Sequence, residues 1–311
     1  MPENLGPSRP NAVDAAADAA RRPAGPLDAS LAQASGEALA ALATANPERA
    51  VHDLRKAFKR LRALLRLAQA SEDKAVAAEA RRLRRALAGD ARQLAGARDV
   101  SARRAALDDL QAKGHLSAPQ RRAAGRSLTP PARQDREGAD AGLSPHRAGL
   151  AARLAELSAA APQLGAALHG KSLVAALTAE YGKARRLGRK ADPEDEIGLH
   201  ELRKAVVAQR YQMELLVPAW PALGAAWVAE LQRLRDKLGK HHDLCVLRAR
   251  LDERISSRPP AWRAPLIEAI GARQLKLAHS ALRLHGRLFT ETPKAFRRRI
   301  ASYMSAVSDG K

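Results

Sequence analysis

The chain has 311 residues, with 54 Lys and Arg against 33 Asp and Glu, a formal net charge of +21, and one cysteine. So large a positive excess concentrates polyanions, which narrows the partner classes to nucleic acid, anionic membrane and inorganic phosphate polymer. One cysteine excludes a disulfide framework and suits a reducing compartment, and 3% aromatic content is thin provision for stacking bases.

Residues 1–27 are Pro-rich and mixed in charge, which predicts a disordered tail without the apolar stretch of a signal peptide. No segment approaches the roughly 18 uninterrupted apolar residues of a membrane span, so a cytoplasmic, soluble protein is expected. From Asp28 onward Ala, Leu, Arg and Glu recur at helical spacing with no alternation of period two. The predicted fold class is all-α. Helices are expected over 28–45, 47–70, 73–97 and 99–113. Residues 114–149 contain Thr129-Pro130-Pro131, Ser144-Pro145 and, among their glycines, Gly125, Gly138 and Gly142, and read as a linker or disordered insertion. Helices resume over 149–169, 171–191, 194–217, 221–241, 243–256, 262–289 and 293–307. Asn46-Pro47 and Asp192-Pro193 supply a capping side chain and a proline suited to the first helical position, so each is expected to open a helix.

Both of those helices carry the same phrase. His52-Asp53-Leu54-Arg55-Lys56 recurs as His200-Glu201-Leu202-Arg203-Lys204. At 100° per residue, His52, Lys56, Lys59 and Arg66 share a stripe, with Arg55 and Arg62 beside it and Leu54, Phe58, Leu61 and Leu65 opposite. Arg60 completes the basic run. In the second phrase His200, Lys204 and Tyr211 share a stripe flanked by Arg203 and Arg210. The plain alternative is a solvated basic face. Against it stand the repeat itself and the scarcity of acids at i±4 on the first stripe, which leaves like charges to repel.

A second shared phrase follows each. Leu94-Ala95-Gly96-Ala97-Arg98-Asp99-Val100 parallels Leu238-Gly239-Lys240-His241-His242-Asp243-Leu244. Gly and Asp there predict a helix ending at a turn, with Asp99 and Asp243 capping the next helix. The helices leading in are basic, with Arg81, Arg84, Arg85 and Arg92 in one and Arg233, Lys237 and Lys240 in the other. The repeats predict two related antiparallel helical bundles, a first half over 28–113 and a second over 150–311.

In the order and duplication of these phrases the chain resembles the CHAD family, the conserved histidine α-helical domain. His52-x-x-Arg55-Lys56-x-x-Lys59-Arg60-x-Arg62 is similar to the family's first basic run. Leu94-Ala95-x-x-Arg98-Asp99 is similar to its turn motif, with Ala95 where Gly is usual. His200-x-x-Arg203-Lys204 and Arg210-Tyr211 are similar to the second run. The stretches Ala281 to Phe289 and Pro293 to Tyr303 are similar to its C-terminal helices, so the resemblance covers roughly 28–311. It implies a pair of helical bundles around a basic cavity or groove that binds inorganic polyphosphate, often at polyphosphate granules. Val207 and Ala208 replace the charges of Lys59 and Arg60, and His242 replaces the arginine of the turn motif. The second half is therefore expected to bind less strongly.

Chemistry beyond binding finds little support. No Gly-rich phosphate loop or clustered carboxylates accompany the histidines, as phosphoryl transfer generally requires. His52 and His200 are expected to give directional hydrogen bonds to phosphate. His241, His242 and Cys245 are metal-ligand types without the third or fourth partner of a zinc site, and Cys245 reads as a small buried apolar residue. The expectation is a non-enzymatic polyphosphate-binding protein without cofactor or metal. The rivals are a nucleic-acid-binding protein that uses the same charges and an enzyme acting on polyphosphate or a triphosphate.

Overall fold

Helix is the only regular structure among the residues that the computed structural model describes, which are 25–94, 96–128, 142–253 and 258–309. In chain order these are α1 (Pro26–Leu42), α2 (Pro47–Ala68), α3 (Lys74–Gln93), α4 (Gly96–Ala112) and α5 (Ala118–Leu128). A 3-10 turn, Ser144–His146, leads into α6 (Arg147–Ala166). There follow α7 (Gly170–Lys190), α8 (Glu196–Met213), a 3-10 segment Glu214–Ala219, α9 (Pro221–Asp252), α10 (Arg263–Leu288) and α11 (Pro293–Asp309). None of these helices is long and apolar enough to cross a membrane. The tail expected over residues 1–27 lies outside the described residues up to residue 24, and α1 takes in its last two.

Local chemistry sets the helix starts. Asn46 Oδ1 accepts the Arg49 N–H at 3.1 Å, and Pro47 opens α2 as expected. At α8 the cap differs from the expectation. Asp192 accepts the Glu194 N–H at 2.8 Å and makes a turn around Pro193. Asp195 then accepts the Gly198 N–H at 2.9 Å and caps α8.

The turn expected at 239–243 does not form. α9 runs unbroken for 32 residues, about 48 Å at 1.5 Å per residue. Leu231, Leu234, Leu238, His241, Leu244, Leu247 and Leu251 are buried at spacings of three and four along it. One continuous core stripe outweighs the ~1 kcal/mol that a glycine costs inside a helix. Asp243 is therefore a mid-helix residue and not a cap. Likewise α4 begins at Gly96, which puts Asp99 inside its first turn.

Within the segment 114–149, Ala118–Leu128 forms a helix where a linker was expected. Ser117 Oγ accepts the Gln120 N–H at 3.4 Å while Gln120 Oε1 accepts the Ser117 N–H at 2.9 Å. That reciprocal cap starts α5, and Ala124 and Leu128 bury against Leu110, Leu247 and Ile270.

The buried residues do not divide at the linker. The larger cluster joins α1, α2, α3, α6, α7, α8 and α11 with the first half and middle of α9 and the second half of α10. The smaller one joins α4 and α5 to the far end of α9 and the start of α10. A third contact, Ala63 with Ala208 and Tyr211, lies where α2 and α8 cross, and Gln212 Nε2 donates to the Ala63 carbonyl there at 3.0 Å. α7 and α10 approach closely because residue 188 is glycine. The His285 ring occupies the space a Cβ would need, and its Nε2–H donates to the Ala184 carbonyl at 3.1 Å.

Candidate functional site

A cleft of about 990 Å³ opens between α2, α4, α8 and α9. α2 lines it with Glu48, Val51, His52, Arg55, Lys56 and Lys59. α9 lines the facing side with Gln232, Arg235, Asp236, Gly239, Lys240 and Asp243. Both sets follow the same offsets of 3, 4, 7, 8 and 11 residues from the first, so each is a single helical stripe. α8 contributes Arg203, Arg210 and Tyr211, and α4 contributes Ala102, Arg104 and Ala105. Eight lysines and arginines thus meet three carboxylates, with His52 in addition.

Several of these cations are held in place by the scaffold. Arg55 Nη1 donates to the carbonyls of Ala91 at 3.0 Å and Leu94 at 2.7 Å, at the C-terminal end of α3 where carbonyls lack helical partners. Arg210 lies 4.8 Å over the Tyr211 ring and pairs with Glu214 at 3.1 Å. Burial raises the Glu214 pKa, and Arg210 and Arg60 oppose that shift. Lys240 donates to Asp109 at 2.8 Å, and Arg273 holds the same carboxylate at 2.8 Å. Burial pushes the Asp109 pKa up, but these hydrogen bonds more than offset it and hold the carboxyl below its ordinary value. Lys56 and His52 stand exposed at the cleft.

The structure therefore brings His52, Arg55, Lys56, Lys59, Arg203, Arg210, Tyr211 and Lys240 together, and the other expected site residues whose side chains are described lie outside the cleft lining. Arg60 bonds Glu37 and Gln33 of α1 and lies 3.5 Å from Glu214. Arg66 pairs with Glu180 of α7 at 2.7 Å. Arg62, Arg81, Arg84 and Arg85 sit on α2 and α3 beyond the cleft lining. Lys204 bonds Glu201 at 2.7 Å, and Lys237 bonds Ser280 Oγ at 2.8 Å. His200 does not line the cleft as His52 does, and its ring packs 4.7 Å from that of His242. The Arg98 side chain lies outside the described residues.

Sequence reasoning missed Arg104, Arg235, Gln232 and the three carboxylates. The α9 set is legible as one stripe once the helix is read through residues 239–243. Arg104 had no such signal, since α4 has weak apolar periodicity.

Among the described residues no group of three or more His, Cys, Asp or Glu is placed to hold a metal ion. Cys245 Sγ lies 3.6 Å from His241 Nδ1, but Gln274 Nε2 donates to the sulfur at 3.2 Å. Burial pushes the thiol up to about 12 and the His241 imidazole down. Cys245 is half-buried rather than the fully buried residue expected.

All four walls of the cleft fall within residues 26–252, the stretch that matches the family model for the CHAD domain. The chain belongs to the CHAD family. No curated protein and no solved structure matches it. In this CHAD domain the matched region takes in α1 to α9, and α10 and α11 lie beyond it. Those two helices complete the core around the matched region, with Arg273 of α10 reaching back to the Asp109–Lys240 pair.

Proposed function

We propose that this CHAD domain binds inorganic polyphosphate in the cleft between α2, α4, α8 and α9, without turning it over. The observation that carries this reading is the convergence of eight cations from four helices on one cleft with only three carboxylates. Arginine forks match phosphate oxygens and lysines act as point charges. A polyanion between the walls relieves the repulsion that the cations exert on one another. The same reading makes association with polyphosphate granules in the cytoplasm the expected setting.

Polyphosphate is favoured over nucleic acid because the cleft offers no Trp or Phe, its one Tyr, Tyr211, is 5% exposed beneath Arg210, and His52 alone presents an exposed ring. Single-strand binding without sequence preference relies on exposed rings as stacking platforms. Binding is favoured over turnover because the carboxylates of the cleft are not grouped as a metal-holding set. The two repeated phrases enter the cleft unequally. The first supplies His52, Arg55 and Lys56, whereas the second supplies Arg203 alone. We read them as copies of one unit, of which the first carries more of the binding.

Equilibrium binding to long-chain polyphosphate, RNA and DNA at matched phosphate concentration tests the proposal. Tighter binding of polyphosphate with no phosphate release in the presence of magnesium is the expected result. Equal or tighter binding of nucleic acid, or magnesium-dependent phosphate release, would overturn it.

A further inference from the structure

The cations of α2 do not all enter the cleft. Beyond Lys59 the helix carries Arg62, which lies among arginines of α3, and Arg66, which reaches Glu180 of α7. Arg84 and Arg92 act on Arg62, and Arg66, Arg85 and Arg81 act on Arg84. Among the charges that act on Arg62 and Arg84 the carboxylate is Glu180, and Arg66 already holds it at 2.7 Å. Arg62 and Arg84 are half-buried, and the Nε of each is buried without a hydrogen-bond partner. Burial first, and then neighbouring arginines, push the Arg62 guanidinium down from its ordinary pKa. Arg84 is pushed down by burial and by Arg66, with Glu180 opposing.

An arrangement like this costs stability on its own. Like charges repel, and buried guanidinium N–H groups without acceptors lose the hydrogen bonds they had in water. An anion seated among the arginines removes both costs. The cluster also adjoins the cleft. Arg55 lines the cleft and donates to the carbonyls of Ala91 and Leu94, which flank Arg92 on α3. From His52 in the cleft to Arg66 in the cluster is about 21 Å along α2 at 1.5 Å per residue.

We propose that Arg62, Arg66, Arg84 and Arg92 form a second phosphate-binding site, which takes the part of a polyphosphate chain that extends out of the cleft. This rests on the reading of the cleft as a polyphosphate site and adds a length preference to it. A chain that fills only the cleft gains nothing from the cluster. A chain long enough to occupy both gains by effective concentration, since its second contact is intramolecular.

The test compares tripolyphosphate with long-chain polyphosphate on the full chain and on an Arg62→Gln/Arg84→Gln variant. The variant is expected to lose roughly tenfold more affinity for the long chain than for tripolyphosphate, a modest share of the avidity that linked sites supply. Its melting temperature without ligand is expected to equal or exceed that of the parent. Equal losses for both lengths, or an unchanged long-chain affinity, would overturn the second site. Should the buried changes impair folding, Arg92→Gln alters an exposed position only, and a length-dependent loss in the same direction is expected. If the parent binds neither polymer, the cleft reading fails and the cluster is judged by inorganic phosphate alone. A rise in parent melting temperature with phosphate that the variant lacks would support it, and identical responses would overturn it.

Discussion

Arg55 Nη1 lies 2.7 Å from the carbonyl oxygen of Leu94, so a cleft arginine also closes the end of α3. The side chain is half-buried, and one of its nitrogens serves the scaffold while the residue lines the cleft. Arg55→Ala is therefore expected to weaken binding and to destabilise the fold by ~1.5–3 kcal/mol, the usual range for hydrogen bonds to a charged group. Arg203→Ala is expected to show a smaller ratio of stability loss to binding loss. Urea unfolding beside binding titrations measures both. A variant without Arg55 that unfolds like the parent would show that the Ala91 and Leu94 contacts contribute nothing.

Lys56 and Lys204 occupy the same place in the two phrases but not in the structure. Lys56 lines the cleft, and Lys204 is exposed outside its lining and bonded to Glu201. Lys56→Ala is expected to weaken polyphosphate binding severalfold and to flatten its salt dependence, because fewer condensed counterions are released. Lys204→Ala is expected to leave both close to the parent. Titrations at several salt concentrations decide the matter, and equal effects of the two changes would mean that the second phrase also reaches the ligand.

All-helical architecture was legible because Leu and Ala recur at spacings of three and four throughout, and burial follows that pattern on α2 and α9. The cleft wall from α2 was legible for the same reason. What the helical projection could not supply was the neighbour that each turn of the helix meets. It placed Arg66 near the stripe of His52, yet by the turn of Arg66 the helix faces Glu180 of α7 rather than the cleft. Arg60 was drawn away by Glu37 and Glu214, partners 23 residues before it and far downstream. Arg235 and Asp236 fell inside an expected helix, but its basic residues were read at Arg233, Lys237 and Lys240, and the turn expected at 239–243 hid the stripe that continues to Asp243, because a local turn signal was weighed without the Leu stripe on either side of it. Ser117 and Gln120 carried a readable capping signal for α5 inside a segment whose prolines and glycines suggested a linker.

His241 and His285 are buried, and burial lowers the pKa of both below the ordinary value near 6.5. The native state therefore resists protons that the unfolded chain accepts. Their contribution to stability is whole above about 6.5 and falls as pH drops below it, since the unfolded state then binds more protons. The urea midpoint is expected to fall between pH 7.5 and 5.5, with a shallower fall in His285→Gln. A midpoint that rises on acidification in that window would contradict the assignment.

Asp109 links three helices, accepting from Arg273 of α10 and Lys240 of α9. The side chains of Arg273 and Asp109 are 8% and 10% exposed. Asp109→Asn would strand a buried guanidinium, so a loss of about 3–5 kcal/mol is expected. Binding at saturating stability is expected to change less, since Lys240 remains at the cleft. Chemical denaturation of the single variant and of the Asp109→Asn/Arg273→Met pair checks this. The pair should recover much of the loss, and a neutral single variant would show that the pair does not tie the helices.

α5 couples the linker region to the cleft. Leu128 is 3% exposed, and its carbonyl accepts Arg103 Nε at 3.1 Å. Arg103 belongs to α4, the helix that also carries Arg104 into the cleft. α5 thus packs the face of α4 turned toward α9 and α10, and Ala124 and Leu128 fill the smaller core with Leu110, Leu247 and Ile270. Replacing 114–149 by a flexible linker adds little loop entropy by itself, so any loss reflects the packing of α5. Leu128→Ala is expected to cost about 2–5 kcal/mol, the range for leucine truncation in a core. The deletion should cost more, broaden the unfolding transition as α4 loosens, and weaken polyphosphate binding through Arg104. Unfolding curves followed by circular dichroism, with binding measured on the same preparations, separate the two effects. A deletion that unfolds as sharply as the parent and binds as tightly would mean that α4 holds its place on α9 and α10 alone.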